Sequence, residues 1–234
     1  MTRQAGATAS ESSSRPYRRR HVSLTRDVVV RVLLEAASRH ADWPRRLLLC
    51  HYGARLGGLG LNAGTTGNLS VLLRDGATIF ITPRGVDKAG LEPHQIRRLS
   101  LHEGDQSTVG ASSELPLHRA SYRARSDVGA VIHAHPPALT ALPLRGLDLT
   151  ATLPESGTAL GGIAHIPYVP AGSEELARLV GTAIAGGASL LLLERHGIVS
   201  VGRSLDEACG RIEQGELAAL TTLMAAGVLG VGAG

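Results

Sequence analysis

The apolar run Val131-Ile132-His133-Ala134-His135-Pro136-Pro137 constrains this chain more than any other stretch, because it reads as a strand with two imidazoles on one face. Side chains alternate along a strand at about 3.3 Å per residue, which puts His133 and His135 about 6.5 to 7 Å apart and able to converge on one cation. A second apolar run, Leu190 to Leu193, reads as a buried strand, and a third histidine follows it in Glu194-Arg195-His196-Gly197. Gly197 is read as the residue that lets the chain turn and leaves the His196 ring at the strand's end.

Alone, a His-x-His pair is more often a polar strand ending than a pair of ligands. Three histidines with a vacant fourth position are another matter, since they make the open site of a catalytic zinc centre, whereas structural zinc sites are closed and usually rich in thiolate. The chain has only Cys50 and Cys209, far apart and outside any Cys-x-x-Cys context, which argues against a structural zinc site. Of the remaining histidines, His21, His40, His51, His94, His102 and His165 read as surface or locally bonded side chains, and His118 stands apart.

A chain of 234 residues with 43% hydrophobic content can bury one sizeable core, so a single domain is expected. No stretch approaches twenty consecutive apolar residues, and no hydrophobic segment follows the N-terminal arginines as it would in a secretory signal. The expectation is a cytoplasmic protein with reduced thiols and no membrane association. The formal charge of +4 is accounted for by residues 1–22, where Arg3, Arg15, Arg18, Arg19 and Arg20 face only Glu11. The body is formally neutral, has no basic face and belongs to a chain with 3% aromatics, so nucleic-acid binding is not expected. Residues 1–22, rich in Ser, Ala and Arg, read as a disordered tail, 23–226 as the folded domain and 227–234 as a loose end.

Within the domain, Ser23 or Thr25 can cap a helix whose apolar positions Val28, Val29, Val32, Leu33 and Ala36 repeat at helical spacing up to Asp42. A second helix is read from about Arg45 to Leu56. A glycine-rich passage from Gly57 to Gly67 leads into a hairpin, with strands at Ser70 to Leu73 and Thr78 to Thr82 about a turn at Arg74-Asp75-Gly76. A helix is expected after Glu92-Pro93, another from Ser112-Ser113-Glu114 to about Arg125, and a closing αβα passage from Ser173 to about Ala226.

Several of these turns suit an anion. Ser112 and Ser113 stand where a helix begins, with free backbone N–H groups and the positive end of the helix dipole. Thr66-Gly67-Asn68 offers a close backbone approach and an amide donor, and Thr82 with Gly85 adds further donors. Each turn alone reads as a cap or a tight loop, but together and beside a metal triad they point to a phosphate or carboxylate pocket. Glu114, at the same helix start, is either a dipole-compensating carboxylate or a proton-transfer group beside the metal. His118, one turn further on, can orient Glu114 or pack, and a structural or supporting role is favoured.

Gly67-Asn68-x-Ser70, Thr82-Pro83-x-Gly85, Ser112-Ser113-Glu114, His133-Ala134-His135-Pro136-Pro137, Pro167-Tyr168-x-Pro170-x-Gly172 and His196-Gly197, in this order, resemble the class II aldolase/adducin family, with a fuculose-phosphate aldolase-like pattern over roughly residues 25 to 226. The resemblance implies an α/β fold, a single three-layer α/β/α domain around a mainly antiparallel central sheet, commonly assembled as a homotetramer with active sites near subunit boundaries. It implies Zn2+ or another divalent ion on His133, His135 and His196, Glu114 as acid/base, and an anion cradle from Asn68, Thr82, Gly85, Ser112 and Ser113.

Two departures from the pattern bear on the reaction. Arg84 stands in the Thr-Pro-x-Gly turn where a small residue is usual, and a guanidinium there can grip a carboxylate or phosphate bidentately or point to solvent. The sugar-phosphate aldolases of the family tend to supply a tyrosine from the C-terminal segment, whereas nothing aromatic follows Tyr168 here. The first expectation is a divalent-metal-dependent carbon–carbon lyase cleaving a small phosphorylated hydroxy-ketone through a metal-stabilised enediolate. The second is a decarboxylase of a small carboxylated substrate, a dihydroxy-aromatic acid or a sugar-derived keto acid, with Arg84 on the carboxylate. The third is a non-catalytic adducin-like scaffold, against which the three histidines and Glu114 argue.

Overall fold

The computed structural model describes residues 42–102, 110–149 and 160–228. The helix expected over residues 23 to 42 and the two terminal tails lie almost entirely outside them. Seven strands form one sheet: β1 (Asn68–Leu72), β2 (Thr78–Ile81), β3 (Arg97–Ser100), β4 (Ala130–Ala134), β5 (Ile163–Ile166), β6 (Leu190–Leu193) and β7 (Gly197–Gly202). Their spatial order is β3-β2-β1-β4-β7-β6-β5, with β5 and β6 parallel and every other neighbouring pair antiparallel. The described helices are α1 (Trp43–Gly58), α2 (Leu115–Ala124), α3 (Pro137–Leu144), α4 (Glu174–Ala185) and α5 (Leu205–Ala225).

The strand period sorts side chains into two apolar layers. Even-numbered Ile132, Leu190, Leu192 and Ile198 pack with Leu49 and Leu56 of α1, Leu139 and Leu142 of α3, and Ile212 and Ala219 of α5. Odd-numbered Val131, Leu191, Leu193 and Val199 face Leu115 and Leu117 of α2 and Val180 and Ile184 of α4. Leu190–Leu193 is buried at every position because it has helices on both sides, the reason a strand reads as a continuous apolar run. The molecule is therefore the expected three-layer α/β/α sandwich with a mainly antiparallel sheet.

The same parity places the functional side chains. His133 continues the series of Val131, so it emerges on the α2 and α4 side. On the neighbouring β1, Asn68 and Ser70 share that side, and Asn68 stands directly across from His133.

Three local expectations differ from the structure. After Glu92-Pro93 the chain makes only a three-residue 3-10 turn, Pro93–Gln95, and then pairs along β2 as edge strand β3. Arg46 of α1 donates to the carbonyls of Pro93 at 3.0 Å and Ile96 at 2.7 Å, which holds the turn open against helix growth. The exposed Arg97 and Arg98 then suit a strand at the sheet's edge. The helix α3 and the short parallel strand β5 are elements that the sequence patterning left unassigned. The positive φ of the β6–β7 turn falls on Arg195, at 56°, and not on Gly197. Gly197 is needed for a different reason: a Cβ there would lie 2.5 Å from the Ala134 carbonyl oxygen and 2.7 Å from the His135 ring, so only glycine lets β7 close on β4 at the histidines.

Candidate active site

β4 carries His133 within its pairing to β7, opposite Val199, and His135 follows one residue past the strand's end. The antiparallel pairing brings the start of β7, and with it His196 from the β6–β7 turn, to the same place. Ring centroids are 4.6 Å apart for His133 and His135, 4.7 Å for His133 and His196, and 5.7 Å for His135 and His196. One nitrogen from each ring lies within 4.8 Å of the other two. His133 Nδ1–H donates to the Ile198 carbonyl at 2.9 Å, so its Nε2 lone pair is the free one. The Nδ1 atoms of His135 and His196 are buried without a partner. Burial, helped by its two neighbouring rings, holds His133 well below its usual pKa. Burial and then His196 push His135 down to about 4, and burial lowers His196 as well. Three neutral imidazoles with unspent lone pairs are the protonation state a metal ion requires.

Facing the histidines are three turns. Gly67, at φ 66°, takes a left-handed conformation, and the Asn62 side chain fills the space a Cβ would need. Asn62 in turn accepts the His135 backbone N–H at 3.2 Å, so this loop and the metal triad are built together. An isolated bridge between Pro83 and Ala111, extended by the Arg84 N–H donating to the Gly110 carbonyl at 3.1 Å, sets the 83–85 turn beside residues 112–114. Between these turns and the histidines lies a cavity of about 330 Å³. His133, His135, His196, Glu114, Asn68, Arg84, Gly85, Ser112 and Ser113 all line it. Thr82 does not: it is fully buried, and its Oγ1 accepts the Leu69 N–H at 3.1 Å, which fastens β2 to β1 beneath the cavity. Thr65 and Lys88 also line the cavity, although neither was singled out above. The signal for Lys88 was present in the sequence, where it is the only lysine.

Glu114 is the residue just before α2, and its side chain makes no capping hydrogen bond. Its own N–H donates to Ser112 Oγ at 3.2 Å. The carboxylate is 5% exposed, and Oε2 is buried with no partner. Burial pushes its pKa above the ordinary carboxylate range, against the pull of a backbone N–H from Gly172. A buried carboxylate that does not cap its helix, keeps one oxygen without a partner and lines a cavity with three imidazoles is poised to exchange a proton.

His118 does not orient Glu114. Its Nε2–H donates to Asn68 Oδ1 in a very short hydrogen bond, and its Nδ1 accepts from Ser70 Oγ at 2.6 Å. Ser70 therefore receives the Tyr122 hydroxyl proton across their 2.7 Å contact. Burial takes the His118 pKa down to about 3, so the ring is neutral and this order of donors is maintained. With Oδ1 engaged, Asn68 has only its amide N–H groups left, which are donors matched to an anion.

Residues 48–223 match the family model described as the class II aldolase and adducin N-terminal domain. The chain belongs to this family. It is 34% identical over 145 residues to an L-fuculose phosphate aldolase of Methanococcus maripaludis, covering 62% of this chain and 77% of that protein. It is 32% identical over 160 residues to a 3-oxo-tetronate 4-phosphate decarboxylase of Escherichia coli, covering 66% and 74%. A solved L-fuculose 1-phosphate aldolase superposes with a TM-score of 0.70 at 30% identity, covering 81% of this chain and 88% of that one. This class II aldolase-family chain is an enzyme of the lyase class, like those relatives.

Proposed function

We propose that the chain is a divalent-metal-dependent lyase that cleaves a carbon–carbon bond in a small phosphorylated hydroxy-ketone. The observation that carries this is the shared cavity, in which three neutral imidazoles, the unpartnered Glu114 oxygen and the donor-lined turns stand together. Two orphaned imidazole nitrogens and a third ring oriented by a backbone carbonyl fit a borderline divalent ion, Zn2+ first, held by His133, His135 and His196. Such an ion supplies Lewis acidity to a substrate oxygen. Asn68, the Gly85 turn, Ser112 and Ser113 hold the phosphate. When the bond breaks, the hydroxyl on the departing carbon loses its proton to water as it becomes the aldehyde, the bond's electron pair stays on the carbon next to the carbonyl, and Glu114 gives that carbon its proton. Thr82 acts only through the β1–β2 connection that positions Asn68.

Decarboxylation is the second reading, and Arg84 favours it. Its side chain is exposed at the cavity and can grip a carboxylate, no tyrosine follows Tyr168 to exchange a proton with the aldehyde-forming oxygen, and the E. coli relative is named a decarboxylase. The relatives' phosphorylated substrates support a phosphate site under both readings. Assembly as a homotetramer in the cytoplasm belongs to the same proposal, and light scattering on the purified protein checks the tetramer.

The test follows aldehyde and CO2 release from phosphorylated ketoses and from phosphorylated keto acids, with wild type and Arg84→Ser. Aldehyde release that survives Arg84→Ser supports the aldolase. CO2 release abolished by Arg84→Ser supports the decarboxylase, and no cleavage of either class would remove the lyase mechanism proposed for this cavity.

A further inference from the structure

Lys88 is the only lysine in a chain that otherwise uses arginine 23 times, and it is 2% exposed. Its backbone is fixed on both sides. The Lys88 N–H donates to the Gly64 carbonyl at 3.1 Å, and its own carbonyl packs on Gly53 of α1, where a Cβ would come within 2.5 Å. Its ammonium donates to the carbonyls of Thr65 at 3.2 Å and Val86 at 2.5 Å. Thr65 belongs to the loop entering β1 and Val86 to the turn leaving β2, so this one group ties together the two loops that carry Asn68 and Gly85.

The tie leaves a charge without a counter-ion. Both partners are neutral carbonyls, and among the described residues no carboxylate lies within ion-pair distance. The adjacent Asp87 is exposed and uses Oδ1 to accept the Ala89 N–H. An ammonium has three donors, and two are spent. A buried cation left unpaired is costly, so such a charge is expected to have a ligand as its partner. A compact point charge also fits between two close carbonyls, where the broad planar guanidinium used at every other cationic position of this chain does not.

We propose that Lys88 is an anion-binding residue of the cavity, whose fixed charge selects a phosphoryl dianion over a carboxylate. The inference rests on reading the cavity as a site for a phosphorylated substrate. Lys88 adds a buried positive charge to the exposed one of Arg84 on the cavity wall, while Asp87 on the same turn is exposed. Burial lowers the Lys88 pKa, Asp87 pulls it back in part, and a bound anion would oppose the shift further.

Because there is one lysine, labelling untagged protein with lysine enriched in 13C at Cε gives one resonance, and wild type can be tested without mutation. The metal-loaded full chain is titrated with inorganic phosphate at pH 7.5, with calorimetry in parallel. The Lys88 signal is expected to move saturably with the calorimetric affinity. Lys88→Met is expected to weaken phosphate roughly tenfold or more, the loss of a charge-assisted hydrogen bond, while changing acetate binding far less. If the signal stays still while phosphate binds and Ser113→Ala weakens that binding, Lys88 has no such role and the cavity reading stands. If Lys88→Met weakens phosphate and acetate alike, Lys88 is only a loop tie and the inference fails. If wild type binds no phosphate, both readings fall. Should Lys88→Met not fold, the wild-type titration decides alone.

Discussion

Glu114 and the three histidines share an origin in strand and helix geometry. Residue parity on β4 sends His133 toward α2, His135 follows just past the strand's end, and Glu114, just before α2, lines the same cavity. Because Glu114 caps nothing, replacing it should leave the helix and the metal site alone. Glu114→Gln is expected to lower turnover about 10² to 10⁴-fold, the range for a positioned acid/base, with metal content unchanged by elemental analysis. His135 behaves differently. His135→Ala removes one of three donors and is expected to abolish stoichiometric zinc, while His165→Ala, at an exposed position on β5, should retain it. Equal metal content in the two variants would remove His135 from the ligand set.

At the scale of elements, the β4–β7 contact at the histidines tolerates little change. Gly197→Ala would push a methyl against the Ala134 carbonyl and part the strands where the histidines meet. The expected cost is about 1–3 kcal/mol by urea unfolding, together with metal affinity weakened about 10 to 100-fold through the displaced rings. Unchanged zinc affinity in a folded Gly197→Ala protein would mean that the strands can close without glycine. Elements with a strong internal pattern are readable: the hairpin at 70–82, with apolar strands about Arg74-Asp75-Gly76, the apolar Leu190–Leu193 and the His-x-His strand. Others depend on partners that no local window contains. The sequence reads as a helix where β3 forms because Glu92-Pro93 is a helix-start signal, which the open edge of β2 and Arg46 from α1 overrule. β5 is four residues long with an exposed His165, and α3 contains Pro143, so neither has a periodicity to find. In the site, motif residues are legible because their chemistry is local. The single lysine marks Lys88 in the sequence, but its contacts and the His118-to-Tyr122 chain arise from burial and from packing across the fold.

For the whole molecule, the buried histidines couple stability to pH. The His118 pKa falls from 6.5 to about 3 on folding and that of His135 from 6.5 to about 4, so the unfolded chain binds more protons than the folded one in this window. Their contribution to stability is complete above pH 6.5 and is lost as pH falls from there toward 4 and then 3. Glu114, raised by burial, acts in the opposite sense, but it is one group against several. The urea midpoint of the metal-free protein should therefore drop steadily from pH 7 to pH 4, and a flat profile would mean that these rings are not held neutral by the fold. Among the described residues no helix is long and apolar enough to cross a membrane.

The central claim is that Glu114 moves a proton at the carbon beside the carbonyl of a phosphorylated hydroxy-ketone. The most direct measurement is proton NMR of dihydroxyacetone phosphate in D2O with the metal-loaded protein. The account predicts exchange of one hydroxymethyl C–H for deuterium by wild type and its loss in Glu114→Gln. Saturating ligand with no exchange by wild type, or full exchange by Glu114→Gln, would contradict it.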